Sequence, residues 1–247
     1  MLTFRRAWCL PPATALVVLA SCGVSAPSAP AGSSASPLRT IPLPTPTLPS
    51  HPRTGAELTP ALLDEEDMPP GFEQFTMRME GPPVPPSSDD SRCSALLAAA
   101  QQIGWEAKVL RGFVDASSGL HVVEDLSSAG SVTEATRVLD NIEAAVRDCP
   151  DAAEHISGVP GVFTTHRSLA PRPSLGDQAL ATTLHFDSGP WAGLVVASVV
   201  VRVRDLIAGL AFTPSDNGTV GQELIDQVTR LAVTKVLLTY GLDQRPA

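Results

Sequence analysis

The sequence predicts an α+β domain, a mostly antiparallel sheet with helices packed on one face. Two observations carry that expectation. Strand-like runs between Gln178 and Phe212 are joined by turns too short to hold a crossover helix. Helical periodicity is confined to a few separate blocks, above all 132–148 and the stretch ending at Leu238.

The chain opens with a processing signal. Arg5 and Arg6 precede an apolar run from Ala15 to Ala20, which is too short to span a bilayer. The cleavage region reads Leu19-Ala20-Ser21-Cys22. It matches the bacterial lipobox, in which small residues precede a cysteine that accepts a diacylglyceryl group. Residues 1–21 are therefore expected to be removed and Cys22 to be the lipidated first residue. Residues 22–54 read as that residue plus a linker, since 8 of positions 23–54 are proline and favour extended polyproline geometry.

A domain is expected over 55–247. Thr59 and Pro60 suggest the start of a short helix through Asp67, which Pro69-Pro70-Gly71 stops. Phe72–Met79 reads as a strand and Cys93–Gln102 as an Ala/Leu-rich helix behind N-caps at 89–91. Trp105–Asp115 and Leu120–Leu126 read as strands joined at Ser117-Ser118-Gly119. Ser131 with Glu134 forms a capping-box pattern before an amphipathic helix over Val132–Asp148. Phe163–Leu169 is a further candidate strand. Gln178–Asp187, Ala192–Val203 and Leu206–Phe212 are strands linked by Asp187–Pro190 and by Arg204-Asp205. Thr219 and Gln222 suggest the cap of a last helix ending at Leu238.

Charge excludes one class of partner. From Glu57 onward the chain carries 26 carboxylates against 13 lysines and arginines, a net −13. Such a body is repelled by phosphate backbones, so no nucleic-acid partner is expected. Four cysteines are present. Cys9 leaves with the signal and Cys22 takes lipid, which leaves Cys93 and Cys149 to pair in an oxidising compartment. Their loop of about 57 residues gives a chain-entropy estimate of about 4 kcal/mol.

The stretch LLDEEDMPPGF, from Leu62 to Phe72, resembles a leader found at the start of actinobacterial sensor-domain lipoproteins. VVVRVRDLI, from Val199 to Ile207, resembles a late hairpin of the same domains, with Arg204-Asp205 where Gly-Asn is usual. The chain is thus similar to the PknH-like extracellular sensor-domain family over most of 58–240. The resemblance implies a ligand- or partner-binding envelope module with no catalytic residues to carry over.

No nucleophile elbow, zinc-protease, P-loop or dinucleotide motif occurs, so neither an enzyme nor a cofactor is expected. His185 and Asp187, with His166, form the one arrangement to check for metal, and Asp64–Asp67 the one for calcium; the first reads more simply as surface or capped histidines and the second as a solvated helix end, and no metal is expected. Trp105 and Trp191 are scarce aromatics, and Trp191 could line a cleft. Arg202 and Arg204 are basic residues at i, i+2 spacing in an acidic body, and with Trp191 they form the candidate ligand site. The alternative for the arginines is ordinary pairing with nearby carboxylates. Three functions fit: a lipid-anchored module binding an envelope ligand or protein on the outer face of the cell membrane, an envelope lipid carrier, and a hydrolase of unrecognised type.

Overall fold

The computed structural model describes residues 51–75, 88–100, 108–154, 162–189, 191–215 and 217–242. All fall in the compact unit spanning Thr45–Ala247. Cys22, the linker up to residue 50, Trp105 and the distal half of the strand expected over 72–79 lie outside the described residues.

Eight strands form one sheet: β1 Phe72–Phe75, β2 Lys108–Asp115, β3 His121–Ser128, β4 Asp151–Glu154, β5 Phe163–Ala170, β6 Gln178–Phe186, β7 Val195–Val203 and β8 Leu206–Thr213. Their order is β1-β2-β3-β8-β7-β6-β5-β4, and every neighbouring pair is antiparallel. Two meanders are therefore stitched together by β3 and β8, with Val122 opposite Phe212 and Leu126 opposite Ala208. The helices are α1 Gly55–Leu58, α2 Ser91–Ala100, α3 Val132–Asp148 and α4 Gln222–Tyr240. The α+β class and the antiparallel sheet are as expected.

The helices occupy both faces rather than one. Leu206, Leu210 and Phe212 of β8, with Val199, Val201 and Val203 of β7, pack under α4 through Val228, Ala232 and Val236. Residues of the opposite parity, Ile207 and Val200, pack under α3 through Ala135, Val138 and Leu139. A nearly unbroken valine run in β7 suits burial on two sides, and the alternation alone hid this. The helical layer on the α3 side is extended by α2, tied to it through Cys93 and Cys149 at a Cα separation of 5.4 Å. The expected disulfide is present.

Element boundaries shift for local reasons. The first helix begins before Pro60: Thr54 caps Gly55–Leu58, and its amide and hydroxyl both donate to the Glu57 carboxylate. Pro60 then lies in a 3-10 turn, Thr59–Ala61. Ser131 caps α3 as expected, accepting from the Glu134 amide, but the Glu134 carboxylate turns to Arg137 instead of closing the box. The N-cap of α4 is Gly221, not Thr219. β4 was not expected at all.

Candidate functional site

The candidate site lies at one end of the sheet, on the face that α3 shares. The β6–β7 connection brings Trp191 and Leu194 there, Phe186 ends β6, and Val196 opens β7. His121 at the start of β3, Thr213 at the end of β8, and Pro214, Ser215 and Asn217 beyond it close the other side. Together they bound a pocket of about 520 Å³.

The wall is aromatic because three rings fill one corner. Trp191 stacks on Phe163 with centroids 5.4 Å apart and planes 16° apart, and both meet Phe186 edge to face. Such contacts fix the indole more firmly than a hairpin turn would by itself. The opposite wall is held by close backbone approaches. Gly193 has φ +89°, and a β-carbon there would come within 3.0 Å of the Asn217 amide nitrogen. Gly119, at φ +68°, likewise leaves room for Ser215, whose hydroxyl donates to the Ser118 carbonyl at 2.7 Å. Only glycine takes both the positive φ and the contact without strain. The lining thus pairs apolar and aromatic surface with the hydroxyls of Thr213 and Ser215, the Asn217 amide and one imidazole, His121.

Arg202 and Arg204 are not part of this pocket. Arg202 lies seven positions along extended β7 from Val195, a distance of about 23 Å. The proposed grouping of Trp191 with the arginines is therefore divided between the two ends of the sheet. Arg202 is nearly buried and engages its own neighbours: Asp177 at 3.4 Å, Gln178 at 3.3 Å and the Arg204 carbonyl at 3.3 Å. Arg204 is not on the strand but in the β7–β8 turn with φ +60°, and its amide donates to Asp177 at 2.6 Å. The pairing alternative describes Arg202.

Two buried carboxylates went unnoticed in sequence. Glu124 of β3 sits beneath the segment 58–68, wholly buried, and accepts from the Leu63 amide at 2.8 Å. Burial pushes its carboxyl up to about 7, against the pull of that hydrogen bond and of Arg111. Asp205 is buried in the turn beside Arg204 and receives Arg53 at 2.5 Å and the Ser128 hydroxyl at 3.1 Å. Arg53 in turn lies over the Tyr240 ring, 4.6 Å from its centroid. The proline-rich context of Arg53 suggests linker, yet its side chain is part of the folded domain. The one available signal was the apolar alternation of β3 broken by Glu124.

The other candidates are accounted for by the chain's own groups. Asp64 and Asp67 both take the Lys235 ammonium, and Asp64 also takes Arg111; the Lys235 hydrogen bond, the largest influence, draws the Asp64 carboxyl below its ordinary value. His166 pairs with Asp151 at 2.7 Å and lies opposite His185 in the sheet. Among the described residues no group of three or more histidine, cysteine or carboxylate side chains is placed to hold a metal.

No protein-family model matches the chain, and no curated protein matches it. Solved structures do. The extracellular domain of PknH from Mycobacterium tuberculosis superposes with a TM-score of 0.50 at 10% identity, covering 79% of this chain and all of that one. The fold is PknH-like. An Rv0999 ortholog from Mycobacterium smegmatis, an uncharacterized protein, aligns at a TM-score of 0.33 and 10% identity over 72% of this chain and 94% of that one. At such identity the likeness concerns the path of the backbone and not the residues of the site.

Proposed function

We propose that this chain is an extracytoplasmic, sensor-like binding module held on the outer face of the cell membrane by lipid on Cys22. In this reading the signal 1–21 exports it and the stretch 22–50 holds it off the bilayer, since Arg53 and Thr54 belong to the folded domain. A small envelope ligand, or a protein segment, is received in the Trp191 pocket. The observation that carries the reading is that pocket, about 520 Å³ and walled by a fixed aromatic cluster, a size and lining suited to small-molecule recognition. Export and anchoring rest on the lipobox. The PknH-like fold supports a sensing role by analogy.

Binding is favoured over catalysis by the character of the described lining, which is mainly apolar and aromatic and adds neutral hydroxyls, one amide and a single titratable side chain, His121. The mixed polar lining favours a compact ligand over the long acyl chain that a lipid carrier would hold.

Native mass spectrometry of the protein purified from its own envelope tests the reading. A small-molecule adduct that is lost in Trp191→Ala is expected, and an adduct retained in that variant would move the site elsewhere. Cell fractionation tests the anchor: Cys22→Ser is expected in the medium or as uncleaved precursor, and processed, membrane-bound Cys22→Ser would contradict it. Two or more acyl chains, as lipobox processing supplies, are needed for stable anchoring.

A further inference from the structure

We infer that the Trp191 pocket takes a neutral saccharide ring, an inference that rests on the pocket being the binding site. The argument is one of matched surfaces. A sugar ring has an apolar C–H face and a rim of hydroxyls, and it is recognised where a flat aromatic surface adjoins uncharged donors and acceptors. The pocket has that arrangement. Trp191, backed by the stacked Phe163 ring, lines one side together with Phe186. Facing it, the Asn217 amide offers both donors and an acceptor, and the Thr213 and Ser215 hydroxyls add further acceptors and donors. The Ser215 hydroxyl spends its proton on the Ser118 carbonyl, which leaves its lone pairs for a ligand hydroxyl.

Charge narrows the class. Among the described residues, no lysine, arginine or carboxylate lines the pocket. Among the described lining residues an anionic ligand would find no counter-charge, in a body with a net −13, and a cationic one would find no carboxylate. Shape and polarity narrow it again. An acyl chain would cover Thr213, Ser215 and Asn217 without satisfying them, leaving desolvated polar groups unpaired. The 520 Å³ volume accommodates a disaccharide-sized ligand. Asn217 and Ser215 also stand close against the backbone of Gly193 and Gly119, which limits their freedom before a ligand arrives. Little ordering is left for the ligand to impose.

Saturation-transfer NMR on the purified full chain tests the inference, with maltose, trehalose, cellobiose and mannobiose as neutral probes and sodium laurate as the acyl probe. Transfer to at least one disaccharide is expected, weakened about tenfold or more in Trp191→Ala and in Asn217→Ala, as for loss of a central contact. Asn217 is exposed, so its variant remains informative even where Trp191→Ala disturbs the aromatic cluster. No transfer to any of the four sugars overturns the saccharide inference. Laurate binding lost in Trp191→Ala, without sugar binding, overturns it while leaving the pocket as the binding site. Sugar binding unaffected by both variants overturns the inference and the pocket assignment together.

Discussion

Arg53 donates to Asp205 across 152 residues of sequence, at 2.5 Å, and neither side chain is more than one-tenth exposed. The last residues before α1 are thereby fastened to the β7–β8 turn, and the Arg53 amide also donates to the Ser128 hydroxyl at the end of β3, at 3.0 Å. Removing one member of a buried pair leaves the other as an uncompensated charge. A chain trimmed to begin at Gly55 is expected to be less stable by about 3 kcal/mol than one beginning at residue 50. Urea unfolding of the two compares them directly, and equal midpoints and slopes would contradict the role given to Arg53.

Glu124 sets a pH dependence of definite sign. Its carboxyl is raised from 4.5 to about 7 by burial, so between those values the folded chain binds a proton that the unfolded chain has released. Its contribution is fully present below 4.5 and is lost as pH rises through 7. Leu63, Arg111, Asp125 and Lys235 are the groups that act on it from the surrounding elements. Wild type is expected to lose about 3 kcal/mol relative to Glu124→Gln between pH 4.5 and pH 8. Taking the difference between the two proteins cancels the other titrating groups. A difference independent of pH would contradict the assignment.

The disulfide joins α2 to the end of α3 and closes a separation of 56 residues. Cys149→Ala is expected to cost about 4 kcal/mol by the chain-entropy estimate. Non-reducing peptide mapping should recover the Cys93–Cys149 cross-link. Free alkylation of both thiols in native protein would contradict it.

Arg204 is the one non-glycine at positive φ among the described residues, at +60°. Its hydrogen bonds in the turn are made by backbone atoms, which any residue supplies. Arg204→Gly is therefore expected to be neutral or to stabilise by up to about 1 kcal/mol, the relief of left-handed strain being partly offset by unfolded-chain entropy. Thermal unfolding measures it. A clear loss of stability would show that the side chain makes a contribution of its own.

Local patterns made most elements legible. The hairpin turn at Arg204-Asp205, the amphipathic stripe of α3 and the parity of Cys93 and Cys149 all depend on residues close in sequence or on compartment chemistry. The pairing of β3 with β8 does not. Val122 and Phe212 are brought together by the fold as a whole, and their sequence context carries no trace of it. The same holds for the site. Trp191 stood out by scarcity, but its partners come from β3, β5 and the segment after β8, so Phe163, His121 and Asn217 could not be grouped in advance. Arg202 and Arg204 fall apart from Trp191 because nearly the whole of β7 stands between them, and a strand that looks short in sequence is long in space.

Hydrogen exchange on the intact chain, with and without a polar extract of its own envelope, tests the central claim that the Trp191 pocket is the binding site. Slowed exchange confined to 191–196 and 213–217 is expected, and it should vanish in Asn217→Ala. Slowing at the Arg202–Leu206 turn instead, or none anywhere, would contradict it.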